Sequence, residues 1–371
     1  MLPFVLAGAL FAQYPGLTLP PDGNNQKASV TQFIGPVRVT IEYSSPAVHG
    51  PDGTRERRGQ IWGKLVPYGL SIDAFGNGKP DPWRAGANEN TVFEVSDDVT
   101  IEGQPLPKGR YGLHMIPGEE TWTLIFSKDS EAWGSFFYDA SHDALRVTAK
   151  PHKSGYREWL TYDFTARRPE ETTVEMQWED LALPWTIKVP DMAEVYIGHL
   201  RKELTTVPGF SYPGYLAAIR YCVQVGKNLD QALGWADAAI NMPYVGEANF
   251  QTLSTKALVL TKLGREAEAK PVMQSALHSP TATPSEIHQY GRRLLREKKN
   301  DEAMKVFEYN AERNGDAWPV HVGLARGYAA AGDTKQALEH AKKALPQAPD
   351  EQNRKILEAM IDALSKGAPI D

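Results

Sequence analysis

The sequence predicts a two-domain β plus α protein, with an N-terminal antiparallel β-sandwich or jelly-roll-like domain and a C-terminal helical solenoid. The chain has 371 residues, which is too long for one ordinary hydrophobic core. From about residue 36 to 189, apolar and polar side chains alternate as they do in strands with one buried face. After Pro190 the apolar spacing becomes helical, and similar segments recur at a nearly fixed interval.

The first thirteen residues, MLPFVLAGALFAQ, form an apolar run that ends in small side chains. Its length suits the core of a secretory signal peptide and is too short for a membrane span. We therefore expect a truncated signal peptide at residues 1–13, cleaved near Ala12 or Gln13. The protein would then be exported, to the periplasm or the extracellular space. A buried N-terminal strand is the alternative interpretation.

The composition narrows the class of protein. Hydrophobic residues make up 42% of the chain and charged residues 23%, as in soluble globular proteins. The formal net charge is −6, and no basic stripe alternates with aromatic residues, so we expect no nucleic-acid partner. No later segment is apolar enough for a membrane span. The single cysteine, Cys222, cannot form an internal disulfide.

Eight segments with alternating polarity are predicted to be strands of a β-sandwich at residues 28–190. In the first, PVRVTIEY, Val37, Val39 and Ile41 alternate with polar side chains. The others are TVFEV, RYGLHMI, TWTLIF, LRVTAK, YREWLTYDF, TTVEMQW and PWTIKV. Turn signals such as IEGQ and IPGE separate the runs, and no helical segment intervenes. This pattern is typical of antiparallel sheets.

The helical half resembles tetratricopeptide repeats. Four alanines occupy the same place early in successive second helices and lie 37, 34 and 34 residues apart: Ala232, Ala269, Ala303 and Ala337. A small side chain at that position lets paired helices approach closely. We predict about four repeats at residues 212–350, after a connecting helix and linker at 191–211. A capping helix and tail would follow at 351–371.

Several motifs of the first half occur together in one known family. They are YSSPAVHG, IWGKLVPYG, WRAGANE, DVTIEGQPLPKGRYGLHMIPGEETWTLIFSKD and YDASHDALRV. With these motifs the first half resembles the secreted domain-of-unknown-function family numbered 2911, whose members often carry tetratricopeptide repeats behind the β domain. The resemblance implies a β-rich exported domain and brings no established catalytic or ligand residues. The stretch LSIDAFGNGKPDP, at residues 70–82, departs from the family pattern as an insertion.

The segment WRAGANE has two interpretations. As a binding site for a carbohydrate or another small ligand, Arg84 would donate hydrogen bonds and Glu89 would accept them. Asn88 would bind a ligand amide, and Trp83 and His114 would complete the pocket. In the other interpretation the segment locks its own loop, because Arg84 and Glu89 bond to each other or to backbone and Trp83 fills the core. The second is favoured, since the segment has no neighbouring nucleophile or ligand cluster.

The insertion suggests calcium as a cofactor. Asp73, Asn77 and Asp81 stand at relative positions one, five and nine of an EF-hand-like loop, with a glycine at position six. Phe75 occupies a ligand position, however, and Arg84 stands where the bidentate glutamate belongs. A calcium site here would need oxygen ligands from outside the loop. A plain surface loop rich in glycine and proline is the favoured alternative.

The leading functional hypothesis is an exported, non-enzymatic scaffold that binds proteins or assembles with itself. A protein or peptide would bind to the repeat surface. A homo-oligomer or filament would form if the ends of the solenoid met. The alternative is an enzyme or a ligand-binding module with its pocket at WRAGANE. A filled WRAGANE loop beside an open repeat groove would favour the first hypothesis, and a deep pocket at WRAGANE the second.

Overall fold

The computed structural model of the protein describes residues 25–50, 56–72 and 78–370. The chain divides into two compact units, Met1–Tyr196 and Ile197–Asp371. The predicted signal peptide lies outside the described residues, as do Asp73 and Asn77 of the calcium hypothesis. Both therefore stay predictions.

The described part of the first unit forms an antiparallel β-sandwich, as predicted. Its ten strands are β1 (Gln26–Ile34), β2 (Val37–Ser45), β3 (Thr91–Val95), β4 (Val99–Ile101), β5 (Gln104–Leu106), β6 (Gly109–Ile116), β7 (Trp122–Ser127), β8 (Asp143–Ala149), β9 (His152–Arg167) and β10 (Glu171–Lys188). One sheet has the order β1-β2-β3-β6-β7-β8, and the other has the order β5-β4-β10-β9. All neighbouring strands are antiparallel.

Residues from both sheets form one hydrophobic core. Val37, Val39 and Ile41 of β2 are fully buried, which explains the alternation seen in the sequence. The second sheet contributes buried tryptophans from β10, Trp178 and Trp185. Because side chains alternate along each strand, the core fills the space between the two sheets.

The sandwich differs from the predicted strand list in three respects, the first of which is that the short strands β4 and β5 were not predicted. Strand β1 was missed because Gln32 faces inward and Phe33 faces outward, which obscures the apolar alternation, and only Ile34 at its end is buried. Two predicted strands, TTVEMQW and PWTIKV, are joined in the continuous strand β10. A register shift at Glu179, which has a positive φ of 57°, breaks the apolar alternation between them.

The second unit is helical. Its helices, counted from the one at the unit boundary, are α1 (Met192–Glu203), α2 (Tyr212–Val225), α3 (Leu229–Asn241), α4 (Phe250–Lys262), α5 (Glu266–His278), α6 (Pro284–Arg296), α7 (Asn300–Asn314), α8 (Trp318–Ala330), α9 (Thr334–Ala344) and α10 (Glu351–Ser365). Helices α2 to α9 form four consecutive antiparallel pairs. Among the described helices, none combines the length and the apolar character that a membrane span requires.

The predicted repeat alanines lie where the paired helices touch. Ala232, Ala303 and Ala337 are fully buried on α3, α7 and α9, and Ala269 on α5 is also buried. The stripe of α10 is buried as well, through Leu357, Met360 and Leu364, which pack into the same cluster as residues of α8 and α9. Helix α10 therefore covers the last repeat, while Ile356 stays 47% exposed.

Candidate functional site

The segment WRAGANE is fixed to the six-stranded sheet by backbone hydrogen bonds. Trp83 and Met115 of β6 pair in both directions, and each N–H donates to the other carbonyl oxygen at 2.8 Å. The N–H of Ala87 donates to the carbonyl oxygen of Ser44 in β2 at 3.1 Å. These bonds hold the segment near both of its ends.

The middle of the segment is a tight, buried turn. Ala85 and Asn88 have φ values of 55° and 57°, which are uncommon for residues with a side chain. The Ala85 carbonyl oxygen accepts hydrogen bonds from the buried hydroxyls of Thr91, at 3.0 Å, and Tyr162, at 2.6 Å. A Cβ on Gly86 would lie 2.7 Å from Thr91 Oγ1, so this position requires glycine. The turn is locked by its surroundings.

Arg84 bonds inside its own segment. Its Nη1 donates to the carbonyl oxygen of Asn88 at 2.6 Å, and the positive charge of the guanidinium strengthens this bond. The guanidinium also lies against Gly134, where an added Cβ would be 2.4 Å from Arg84 Cζ. The side chain therefore clamps the turn against the loop that follows β7.

Replacing Arg84 with alanine is expected to lower the free energy of unfolding by about 1–3 kcal/mol, because the Asn88 carbonyl oxygen would lose its charged donor. Urea denaturation of the purified variant measures the loss. Arg38→Ala is the matched control, since its ion pair with Glu94 is solvent-exposed and is worth roughly 0–1 kcal/mol. An Arg84→Ala protein that kept full stability but lost a bound ligand would contradict the structural role.

Trp83 belongs to a cluster of four tryptophans. Its ring stacks on Trp178, with 6.4 Å between centroids and 13° between planes. The rings of Trp62 and Trp122 contact it edge-on at 5.9 and 6.2 Å. These contacts place the ring against the hydrophobic core, so that Trp83 anchors the segment.

Asn88 and Glu89 are engaged with neighbouring residues. Asn88 Oδ1 accepts a hydrogen bond from Asn25 Nδ2 at 3.2 Å. Glu89 forms an ion pair with Lys27 at 3.0 Å and accepts a hydrogen bond from the Ser44 hydroxyl at 3.2 Å. Partial burial opposes ionisation of Glu89, but hydrogen bonds from its own N–H, Lys27 and Ser44 outweigh it and lower its pKa. The carboxylate therefore stays ionised and paired.

His114 lies beneath the segment. It is only 2% exposed, and its Nδ1 is hydrogen-bonded to Ser135 Oγ at 2.9 Å. Burial, reinforced by the positive charge of Arg84, lowers the pKa of His114 to about 4, while Asp129 has the opposite, smaller effect. The imidazole is therefore neutral at pH 7. Because Ser135 is also buried, the pair is closed to a substrate.

A pocket of about 490 Å³ opens beside Glu89. Of the five predicted ligand residues, only Glu89 lines it. Four charged residues of its wall are joined in two ion pairs, Lys27 with Glu89 at 3.0 Å and Arg110 with Glu42 at 3.2 Å. The predicted ligand residues thus do not converge on this pocket, and the arrangement does not favour an enzyme or ligand site at WRAGANE.

The calcium hypothesis concerns residues of which the structure describes only Asp81. Asp81 is buried, and its backbone N–H and carbonyl oxygen form hydrogen bonds with Ser71 at 2.8 and 3.0 Å. Across residues 25–50, 56–72 and 78–370, no group of three or more His, Cys, Asp or Glu residues is placed to hold a metal ion. Calcium binding by Asp73, Asn77 and Asp81 stays a prediction.

Isothermal titration calorimetry tests that prediction. If the native chain binds calcium, Asp73→Ala is expected to abolish the binding, because the site has few side-chain oxygens to lose. Asp362→Ala, an exposed carboxylate on α10, is the matched control and should bind calcium normally. Equal calcium binding by native and Asp73→Ala proteins would remove the insertion from consideration.

The repeat unit contains a groove of about 470 Å³ between the first helices of three successive repeats. Leu216 and Arg220 of α2 line one side, and the other lining residues come from α4, α5 and α6: Phe250, Gln251, Ser254, Thr255, Met273, Ser285, Glu286, Gln289, Tyr290, Arg293 and Arg296. The sequence predicted a binding surface in this unit without naming these residues. Arg293 and Arg296, which lie one helical turn apart on α6, were the sequence feature that could have located this surface.

The structure therefore shows a filled WRAGANE loop in the first unit and an open groove in the second. Apolar and cationic side chains both reach this groove. Phe250 and Met273 line it together with Arg220, and the guanidinium of Arg293 lies over the Tyr290 ring. Charged residues of the pocket beside Glu89 are joined in ion pairs within the protein, whereas the groove combines apolar surface with arginines, so the groove is the better candidate site.

Comparison with known proteins agrees with both folds. Residues 25–187 match the family model described as protein of unknown function DUF2911, and residues 294–361 match a tetratricopeptide repeat model. No curated protein matches the chain.

Three solved structures are similar to part of the chain. YrrB, a tetratricopeptide repeat protein with an unusual peptide-binding site, is 21% identical over 45% of this chain and 84% of its own, with a TM-score of 0.29. A tetratricopeptide repeat protein from Parabacteroides merdae is 15% identical over 47% and 69%, with a TM-score of 0.32. A mutant of MamA is 15% identical over 43% and 94%, with a TM-score of 0.27. The two family models together show a DUF2911 domain at residues 25–187 followed by tetratricopeptide repeat sequence at residues 294–361.

Proposed function

We propose that the chain is an exported, non-enzymatic scaffold whose repeat unit binds a protein or peptide. The observation that carries this proposal is the open groove between α2, α4 and α6. Stacked helical repeats commonly use such a surface to bind an extended partner. The locked WRAGANE loop supports the non-enzymatic part, since its charged groups serve the loop itself.

Self-association is the second part of the proposal. Two apolar side chains in the linker before α2 are exposed, Val207 by 82% and Phe210 by 77%. On α10, Ile356 is 47% exposed beside Ala359 on a shallow surface. These two surfaces lie at opposite ends of the helical sequence. A contact between the first surface of one copy and the second surface of another would be head to tail and would propagate.

Export rests on the sequence of residues 1–13 and on the family resemblance. A signal peptidase cut near Ala12 or Gln13 would leave a mature chain that begins just before the β-sandwich. An exported scaffold would meet its partners outside the cytoplasm. Disulfides cannot stabilise it there, because Cys222 is the only cysteine of the chain. Packing of the two hydrophobic cores must supply its stability.

Purification of the protein from its native host tests these parts together. Intact-mass measurement is expected to show loss of about a dozen N-terminal residues, and light scattering is expected to show a mass above that of one chain. A protein that co-purifies is expected to dissociate when Tyr290 in the groove is replaced with alanine. Retention of Met1 would refute export, and a monomer at high concentration, with calcium present or removed, would refute self-association. A partner that still co-purifies with the Tyr290→Ala variant would refute binding in the groove.

A further inference from the structure

The groove is more positive than the rest of the molecule. The whole chain has a formal charge of −6, yet the groove gathers three arginines: Arg220, Arg293 and Arg296. Glu286 is the only acidic residue among those that line it. A positive groove on a protein with a negative net charge indicates a ligand with negative charge.

Glu286 is committed to the helix that carries it. Its Oε2 accepts hydrogen bonds from the N–H of Thr283 at 3.0 Å and from the Thr283 hydroxyl at 2.9 Å. The other oxygen, Oε1, accepts a hydrogen bond from Gln251 at 3.3 Å. Thr283 and Glu286 form a capping box at the start of α6. The glutamate therefore does not neutralise the arginines through a direct ion pair.

The arginines keep donors for a ligand. Arg220 Nε donates to the carbonyl oxygen of Leu216 at 3.2 Å, and Arg293 lies over the Tyr290 ring at 4.9 Å from its centroid. Within the described residues, no carboxylate forms an ion pair with Arg220, Arg293 or Arg296. Each guanidinium has five N–H donors, so most remain open to a ligand.

Two further arginines, Arg292 of α6 and Arg326 of α8, lie close to α6. His288 of α6 is buried, and burial, followed by the charges of Arg326 and Arg292, lowers its pKa to about 3. The same two arginines add to the positive potential along the helix.

The remaining lining residues indicate a mixed ligand. Leu216, Phe250, Met273 and Tyr290 supply apolar surface, while Gln251, Ser254 and Gln289 offer amide and hydroxyl groups for a peptide backbone. A peptide with carboxylates on either side of an apolar residue would satisfy both kinds of surface. Arginine binds carboxylates in a two-bond geometry that adds specificity.

We propose that the groove between α2, α4 and α6 binds an acidic peptide segment of a partner protein, with its carboxylates on Arg220, Arg293 and Arg296. This inference rests on the proposed peptide-binding function. The ligand would be an extended segment in which Asp or Glu residues flank an apolar side chain. Its binding would weaken with salt, since the Debye length falls from about 10 Å at 0.1 M to about 3 Å at 1 M.

An array of random nine-residue peptides tests the proposal. The native full chain is expected to retain peptides enriched in Asp and Glu around a Leu, Phe or Tyr. One retained peptide and its Asn/Gln counterpart are then titrated by fluorescence anisotropy. The counterpart, and the variant Arg220→Gln/Arg293→Gln/Arg296→Gln, are each expected to weaken binding by about tenfold or more, the typical effect of lost charged hydrogen bonds.

The control variant Lys343→Gln/Arg354→Gln/Lys366→Gln removes the same charge from exposed ion pairs on α9 and α10. It is expected to bind the acidic peptide normally, and circular dichroism verifies that both variants fold. The retained peptides could instead show no acidic enrichment and fail to bind the Tyr290→Ala variant. That result would overturn the proposal of an acidic ligand and leave the proposal of peptide binding intact. An array that retains no peptide would overturn both proposals. If the retained peptides matched an acidic segment of this same chain, the groove would serve self-assembly. That result would overturn the proposal that the ligand belongs to a partner protein.

Discussion

Replacing Phe307 with alanine is expected to lower the free energy of unfolding of the repeat unit by about 3–5 kcal/mol, the typical cost of removing a buried phenylalanine ring. Phe307 lies on α7 and is fully buried. Its ring contacts α6 and α8 at three glycines, Gly291, Gly323 and Gly327, where an added Cβ would lie 2.3, 2.6 and 2.9 Å from ring atoms. The ring thus fills space that the glycines leave open, and alanine would leave a cavity.

Urea denaturation followed by circular dichroism measures this loss. Phe210→Ala is the matched control, since that ring is 77% exposed and its removal is expected to change stability by no more than about 0.5 kcal/mol. Gly291→Ala gives the opposite perturbation, because its new Cβ would collide with the Phe307 ring. A loss below about 1 kcal/mol for Phe307→Ala would mean that the ring does not join the two repeats.

Acidification from pH 7 to pH 4 is expected to lower the free energy of unfolding of the β unit by about 3 kcal/mol through His114 alone. The folded pKa of about 4 lies below the unfolded value near 6.5, so the unfolded chain binds the extra proton. The contribution of neutral His114 to the free energy of unfolding is complete above pH 6.5 and is lost as the pH falls towards 4. His288 acts in the same direction in the repeat unit, at lower pH.

Two exposed histidines act in the opposite direction. Hydrogen bonds to Glu158 and Asp129 raise the pKa values of His49 and His142, so their contributions are complete below pH 6.5 and are lost as the pH rises through their folded pKa values. The contribution of His114 must therefore be isolated with a variant.

Unfolding free energies of the native and His114→Gln proteins at pH 7, 6, 5 and 4 isolate it. Glutamine retains a group that can bond to Ser135 but does not titrate. The native protein is expected to lose about 3 kcal/mol more than the variant over this range. The same pH dependence in native and His114→Gln proteins would contradict a neutral, buried His114.

Local patterns predicted most of the fold. The apolar alternation at Val37, Val39 and Ile41 identified β2, and the recurring alanine identified the helix pairs from Ala232 to Ala337. The prediction missed β1 because an edge strand with little buried surface has no clear alternation. It divided β10 because the bulge at Glu179 shifts the inward side of the strand. Both differences come from pairing with distant strands, which a local pattern does not contain.

The candidate site was less predictable. The groups of WRAGANE were visible, but their partners were not, because Gly134, Tyr162 and Lys27 lie far from the segment in sequence. Whether such groups bind a ligand or each other depends on those distant contacts. In the same way, Arg220 and Arg293 become neighbours of one groove only when the repeats stack. The sequence predicted the repeats and the kind of partner, and the structure identifies the lining residues.

Site-specific photo-crosslinking tests the groove most directly. Benzoylphenylalanine in place of Gln289, in the groove, is compared with benzoylphenylalanine in place of Gln352 on α10, which lies outside it. Each protein is irradiated with a peptide that the native chain retains on the array, and mass spectrometry measures the adduct. We expect an adduct at position 289, with little at position 352 and competition by unlabelled peptide. Equal adducts at both positions, or an adduct at position 352 alone, would contradict binding in the groove.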